Sequence, residues 1–203
     1  MKSVISIMAL LGSAIASPMA MPLEVISERH LESCPPGGTL PPGYLSPTLM
    51  VPVSAKFPDV RFGSTQDPII TPNDFCTIFN LEIPPSAVGK TCTLEFLFPD
   101  HHETHSPYVY NGGGHFTFTG YAFGSGATLE TTYANQPPPG PSPPSPPAIL
   151  SPGNAYTINV GGCGIQTGMA GLEVSGMLCS PDSTFIYLQS SQTCPIGFYV
   201  SIS

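Results

Sequence analysis

Charge is scarce in this 203-residue chain. Asp, Glu, Lys and Arg together make up 9% of it, against roughly a quarter in an ordinary soluble domain. Five basic residues face thirteen acidic ones, for a net charge of −8. So few cations cannot neutralise a phosphate backbone, which excludes nucleic acid as a partner, and they give no pull toward anionic lipid. Tryptophan is absent, which removes the widest platform for stacking a sugar ring. No Asn-x-Ser/Thr acceptor occurs, so N-linked glycan is not expected. No C-x-x-C pair occurs either, and structural zinc sites are usually built from such pairs. Past the first residues no apolar run approaches the about 20 residues that a spanning helix needs. The carboxyl end, 196–203, is too short and interrupted for the tail of a lipid-anchor signal, so no membrane anchor is expected.

What is present points to an exported domain. Hydrophobic residues make up 41%, ample for one core, and proline (26) and glycine (21) are both abundant. At the amino terminus Lys2 precedes an apolar run from Val4 to Leu11, and Ala14-Ile15-Ala16 supplies the small residues a signal peptidase reads. Residues 1–16 are therefore expected to be a signal peptide, cleaved after Ala16. The six cysteines, Cys34, Cys76, Cys92, Cys163, Cys179 and Cys194, are even in number and widely spread. In an oxidising compartment they are expected to form three disulfides, and spacing does not choose among the 15 connectivities that six cysteines allow. Residues 17–47 are expected to be an irregular leader, rich in Pro35, Pro36, Pro41, Pro42 and Pro47, with room for a short helix over 23–31.

From Thr48 the apolar residues recur with period two. Leu49, Val51 and Val53 alternate, as do Phe79, Leu81 and Ile83 around Asn80 and Glu82, and Leu94, Phe96 and Phe98. Phe116 and Phe118, then Tyr156, Ile158 and Val160, continue the series. Leu172, Val174 and Leu178, Phe185 and Tyr187, and finally Ile196, Phe198, Val200 and Ile202 complete it. Alternate side chains of a strand point to opposite faces, so each run puts one row on a core and one in water. Eight or nine such runs, separated by Gly, Pro, Asn and Ser, predict an all-β, antiparallel β-sandwich of jelly-roll or immunoglobulin-like type over 48–203. Pro137–Pro147 holds eight prolines in eleven residues. A run that cannot donate to a ladder reads as a stiff loop within the sandwich, not as a domain boundary.

Candidate chemistry is sparse. Asp100-His101-His102-Glu103-Thr104-His105, with His115 ten residues on, is the densest polar cluster. His102, Glu103 and His105 fall one residue short of H-E-x-x-H, which needs i and i+4 on one helix face. Imidazoles this close together could still hold copper or zinc, so a metal-dependent or glycan-active enzyme using 101–115 is the alternative reading. His30 would become an amino-terminal copper ligand only after trimming at Arg29, a site that lacks a second basic residue. Gly89-Lys90-Thr91 resembles the end of a phosphate loop, yet Pro84 stands where its first glycine belongs and a strand follows instead of a helix. There is no G-x-S-x-G elbow, Gly124-Ser125-Gly126 being a glycine turn. Glu82, Glu95, Glu130 and Glu173 lie on strand-like runs, with no spacing that pairs two of them for glycoside hydrolysis. Tyr108, Tyr110 and Tyr121 are the available stacking rings. No catalytic, cofactor or metal residue is assigned, and no cofactor is expected.

Five blocks carry a family resemblance. They are Ile78-Phe79-Asn80-Leu81-Glu82-Ile83-Pro84, the segment Gly89 to Pro99, Thr131-Thr132-Tyr133-Ala134-Asn135-Gln136-Pro137, the segment Leu150 to Ile158, and Pro195-Ile196-Gly197-Phe198-Tyr199-Val200. In that order they resemble the fungal ubiquitin-3-binding-protein (But-two type) C-terminal domain family, over roughly three quarters of the chain. The resemblance implies a β-sandwich in secreted or surface-anchored fungal proteins, without agreed catalytic residues. The proline insert, the extra cysteines Cys179 and Cys194, and the His-rich loop depart from it. The expected protein is a secreted wall- or surface-associated sandwich acting by binding or structure, with cell-wall polysaccharide or an extracellular protein as candidate partner. Cys92 opens one strand and Cys163 follows another, both in blocks the family shares, so those two are expected to pair. Cys179 and Cys194 flank the short run at Phe185 and are expected to pair with each other, leaving Cys34 to Cys76.

Overall fold

The computed structural model describes residues 33–141, 144 and 146–203. The expectations for the export signal, its cleavage, the short helix and His30 lie outside the described residues. Ten strands form: β1 (Leu49–Ser54), β2 (Ile69–Ile70), β3 (Phe75–Ile83), β4 (Thr91–Phe98), β5 (Tyr108–Asn111), β6 (Thr117–Gly120), β7 (Asn154–Gly162), β8 (Leu172–Cys179), β9 (Thr184–Tyr187) and β10 (Gly197–Ile202). The only helical element among the described residues is a 3-10 turn at Pro85–Ala87. All pairings are antiparallel, in three sheets ordered β1-β3-β8-β6, β10-β4-β7 and β2-β9-β5. The two strands without a period-two signal, β2 and β5, are short, and both pair with β9.

The sandwich is the four-stranded sheet facing β10-β4-β7. Phe79 of β3 and Phe118 of β6 meet Phe198 of β10 at ring-centroid distances of 4.7 and 5.4 Å. The small third sheet joins this core through Phe185 of β9. That ring lies 4.6 Å from Phe98, 6.0 Å from Phe96 and 4.6 Å from Tyr187. Edge-to-face and offset packing of this kind lets phenylalanines fill a core that has no tryptophan.

Two departures from simple alternation shape the molecule. First, the four-stranded sheet is covered on both faces. Loop residues Tyr121 and Ala127 lie over Val51, Val53, Ile78 and Met177, on the face away from β10-β4-β7. Asn80, expected in water, is therefore buried (2% exposed). It accepts from the Ala127 N–H and the Ser175 hydroxyl, both at 2.9 Å, and donates to the Ala127 carbonyl at 2.8 Å. Second, the β4–β7 ladder is irregular between Leu94 and Glu95. Glu95 faces Thr157 and Leu94 faces Asn159, which leaves Ile158 as the extra residue of a bulge. Beyond it the faces exchange: Asn159 takes the inner side and Val160, expected in the core, is 58% exposed.

The described cysteines form three disulfides, and two of the expected pairings are corrected. Cys92–Cys163 forms as expected. Cys76 pairs with Cys179, not with Cys34, because the β3–β8 register that sets Thr77 opposite Leu178 brings the next residues face to face, Cα atoms 4.6 Å apart. Cys194 pairs with Cys34, not with Cys179. The expectation placed Leu178 and Ile196 on neighbouring strands, whereas β8 lies between β3 and β6 and β10 belongs to the facing sheet. Cys34–Cys194 ties residues before β1 to the approach of β10, beside a two-way backbone bridge between Leu45 and Val200.

Candidate functional site

A cavity of about 280 Å³ lies between the two large sheets. Phe79, Leu81, Val174 and Leu178 face it from one sheet, and Leu94, Phe198 and Val200 from the other. It touches β6 and β7, each the outermost strand of its sheet. Asn159 and Phe123, both exposed, mark where it meets solvent. Glycines on three strands line the space. Gly120 and Gly176 are cross-strand partners, and the bulge brings Gly161 opposite Cys92 on the inner face. A Cβ built on Gly161 or Gly162 would meet nothing within 4 Å.

The proline-rich loop forms one wall. Ala122 N–H donates to the Pro138 carbonyl at 2.9 Å and Gly140 N–H to the Gly120 carbonyl at 2.8 Å, which lays the start of the loop along β6. Gly140 is required there, since a Cβ would stand 2.7 Å from the Tyr121 carbonyl oxygen. Gly140, Pro141 and Pro144 then reach the cavity. Among the described residues no Asp, Glu, Lys, Arg or His lines it. The Tyr121 hydroxyl donates to Gln136 Oε1 at 2.9 Å, and burial, reinforced by Tyr133, holds its acidity well below that of a free phenol.

The residues singled out in the sequence are dispersed. His101 stacks on Tyr108 with ring centroids 3.8 Å apart. His115 Nδ1 lies 2.6 Å from Asp182 Oδ2, next to Ser180 and Ser183, whose hydroxyls bond Asp182 Oδ1 at 3.3 and 2.8 Å. Hydrogen bonds from His115, foremost, and from Ser183 hold the Asp182 carboxyl below the usual aspartate range. Among the described residues no group of three or more His, Cys, Asp or Glu stands close enough to hold a metal ion. Glu82 lies directly across the ladder from Glu173, and Glu173 accepts from Asn80 Nδ2 at 3.1 Å. Glu130 is paired with Arg61. Glu95 is half-buried, and desolvation raises its pKa. Tyr110 donates to the Leu150 carbonyl at 3.2 Å. The cavity itself escaped sequence reasoning. Its one signal was glycine inside strand-like runs, which often marks a bulge or a close approach.

The model of the ubiquitin 3 binding protein But2 C-terminal domain family matches residues 45–193. The chain belongs to this family. The match spans both faces of the cavity and the proline-rich loop, but stops before β10. Family membership points to a binding-type protein without known catalysis and transfers no site residue. No curated protein and no solved structure matches the chain.

Proposed function

We infer that the protein is exported from a fungal cell and acts outside it, at the wall or surface, as a binding or structural module without catalysis. The observation that carries this reading is the disulfide set. All six cysteines are bridged, across sequence separations of 160, 103 and 71 residues. Such bonds persist in oxidising compartments and are reduced in the cytosol. The apolar start at Val4–Leu11 with Ala14-Ile15-Ala16 supports the same destination. Among the described residues no helix is long and apolar enough to cross a membrane. The family's name speaks of binding to a ubiquitin-type protein, which would place the chain inside the cell, against the chemistry of its cysteines. The module's partner is a cell-wall polysaccharide or an extracellular protein.

Expression of the full chain in a filamentous fungus tests this. The expected result is protein in the medium or wall fraction, beginning at Ser17, with no thiol titratable before reduction. Retention in the cytosol with six free thiols overturns it.

A further inference from the structure

We propose that the inter-sheet cavity is a binding site for an uncharged, largely hydrocarbon ligand of roughly ten to fifteen non-hydrogen atoms, such as a medium-chain alcohol or a small terpenoid. The proposal rests on the reading of the protein as a binding module, and adds a small-molecule ligand to the macromolecular partner proposed there.

Size comes first. Protein interiors leave few voids larger than a water molecule, and an apolar cavity of about 150 Å³ already takes up benzene. At about 280 Å³ this one is nearly twice that. It is not a failure of packing at one substitution. Gly161 and Gly162 of β7 withhold side chains from open space, and Gly176 of β8 lets the Thr119 carbonyl of β6 come within 3.0 Å of where its Cβ would stand. The β7 bulge turns Val160 out and Gly161 in, which clears it further.

The chemistry of the walls then selects the ligand. The side chains facing it from the two sheets are mainly aliphatic or phenylalanine, and Pro141 and Pro144 have no N–H to offer. With no cation among the described lining residues and a net charge of −8 on the chain, no charged side chain there offsets the desolvation of a carboxylate or phosphate head. The exposed Asn159 amide at the rim is suited to a neutral hydroxyl. A slender hydrocarbon carrying at most one uncharged polar end fits all of this.

The test uses the mature, disulfide-bonded chain and 1-aminonaphthalene, an uncharged fluorophore of the right size. The expected result is saturable binding with a blue shift, reversed by decan-1-ol, while decanoate at pH 8 displaces it at least tenfold less well. Gly161→Phe, whose side chain enters open space, is expected to abolish binding without lowering the melting temperature. Val174→Phe fills the cavity from the opposite sheet and serves if the first variant misfolds. Absence of saturable binding by the wild type overturns the proposal, as does undiminished binding by both variants or equal displacement by decanoate. Chemical conversion of bound decan-1-ol would support the site while overturning the non-catalytic reading. Retention of the protein in the cytosol would sink the export reading alone, since probe binding is measured on the purified chain.

Discussion

At the scale of single residues, Asn80 does work that no sequence pattern announced. It sits in the middle of β3 and fastens the loop at Ala127 to the sheet through bonds in both directions. Asn80→Ala strands the Ala127 N–H and carbonyl in a buried place, and unsatisfied buried groups cost about 1–3 kcal/mol each. The variant is expected to lose about 3 kcal/mol, read as a lowered urea midpoint. Phe185 is the aromatic counterpart. Fully buried and ringed by Phe96, Phe98 and Tyr187, it should cost about 3–5 kcal/mol as Phe185→Ala.

Two carboxyls, the partly buried Asp74 and the exposed Asp182, contribute to the response to acid. A hydrogen bond from Ser54, and then Lys56, hold Asp74 below the usual aspartate range, as His115 and Ser183 do for Asp182. A depressed folded-state pKa gives stability that is complete above the unfolded value of about 3.9 and is lost as pH falls through the folded value. Glu95, raised by desolvation, acts in the reverse sense, since protonation in the folded state relieves its penalty. The melting temperature should therefore fall below about pH 4. Asp182→Asn should flatten that fall while leaving Glu95's effect at higher pH in place.

Among the elements, β7 shows how one inserted residue reassigns a face. Had the alternation of Tyr156, Ile158 and Val160 run unbroken, both aliphatic residues would be core. With the bulge, Ile158 is 3% exposed and Val160 is 58% exposed. Ile158→Ala is expected to cost about 3 kcal/mol, and Val160→Thr to stay within about 0.5 kcal/mol, as solvent-facing changes usually do. Equal losses in chemical denaturation would mean that the ladder is regular. The same bulge opens the cavity, so the element that breaks the pattern also makes the candidate site.

Across the whole molecule, the disulfides decide how the parts hold together. Cys76–Cys179 joins adjacent strands of one sheet, Cys92–Cys163 links the start of β4 to the end of β7, and Cys34–Cys194 ties in the segment before β1. Loop-closure arithmetic gives each about 4–5 kcal/mol against an unbridged unfolded chain, less where the loops overlap. Non-reducing peptide mapping should return these three pairs. Replacing both Cys76 and Cys179 by Ala should lower stability by up to about 5 kcal/mol without changing which other cysteines pair.

The sequence by itself determined the class of fold. Period-two runs such as Phe79–Leu81–Ile83 and Leu94–Phe96–Phe98 can bury an apolar row only as strands, and eight of the ten strands carry such a signal. It also indicated the Cys92–Cys163 bond, because those residues bound two of these runs and fall in the part of the chain that resembles the family. What it could not determine is which strands become neighbours. That choice set the register that joins Cys76 to Cys179, placed Cys194 by Cys34, and brought a loop over Asn80. It also converged glycines from β6, β7 and β8 on one space. Local alternation is dictated by backbone geometry within a few residues, whereas adjacency and the empty space between sheets depend on contacts among residues tens of positions apart.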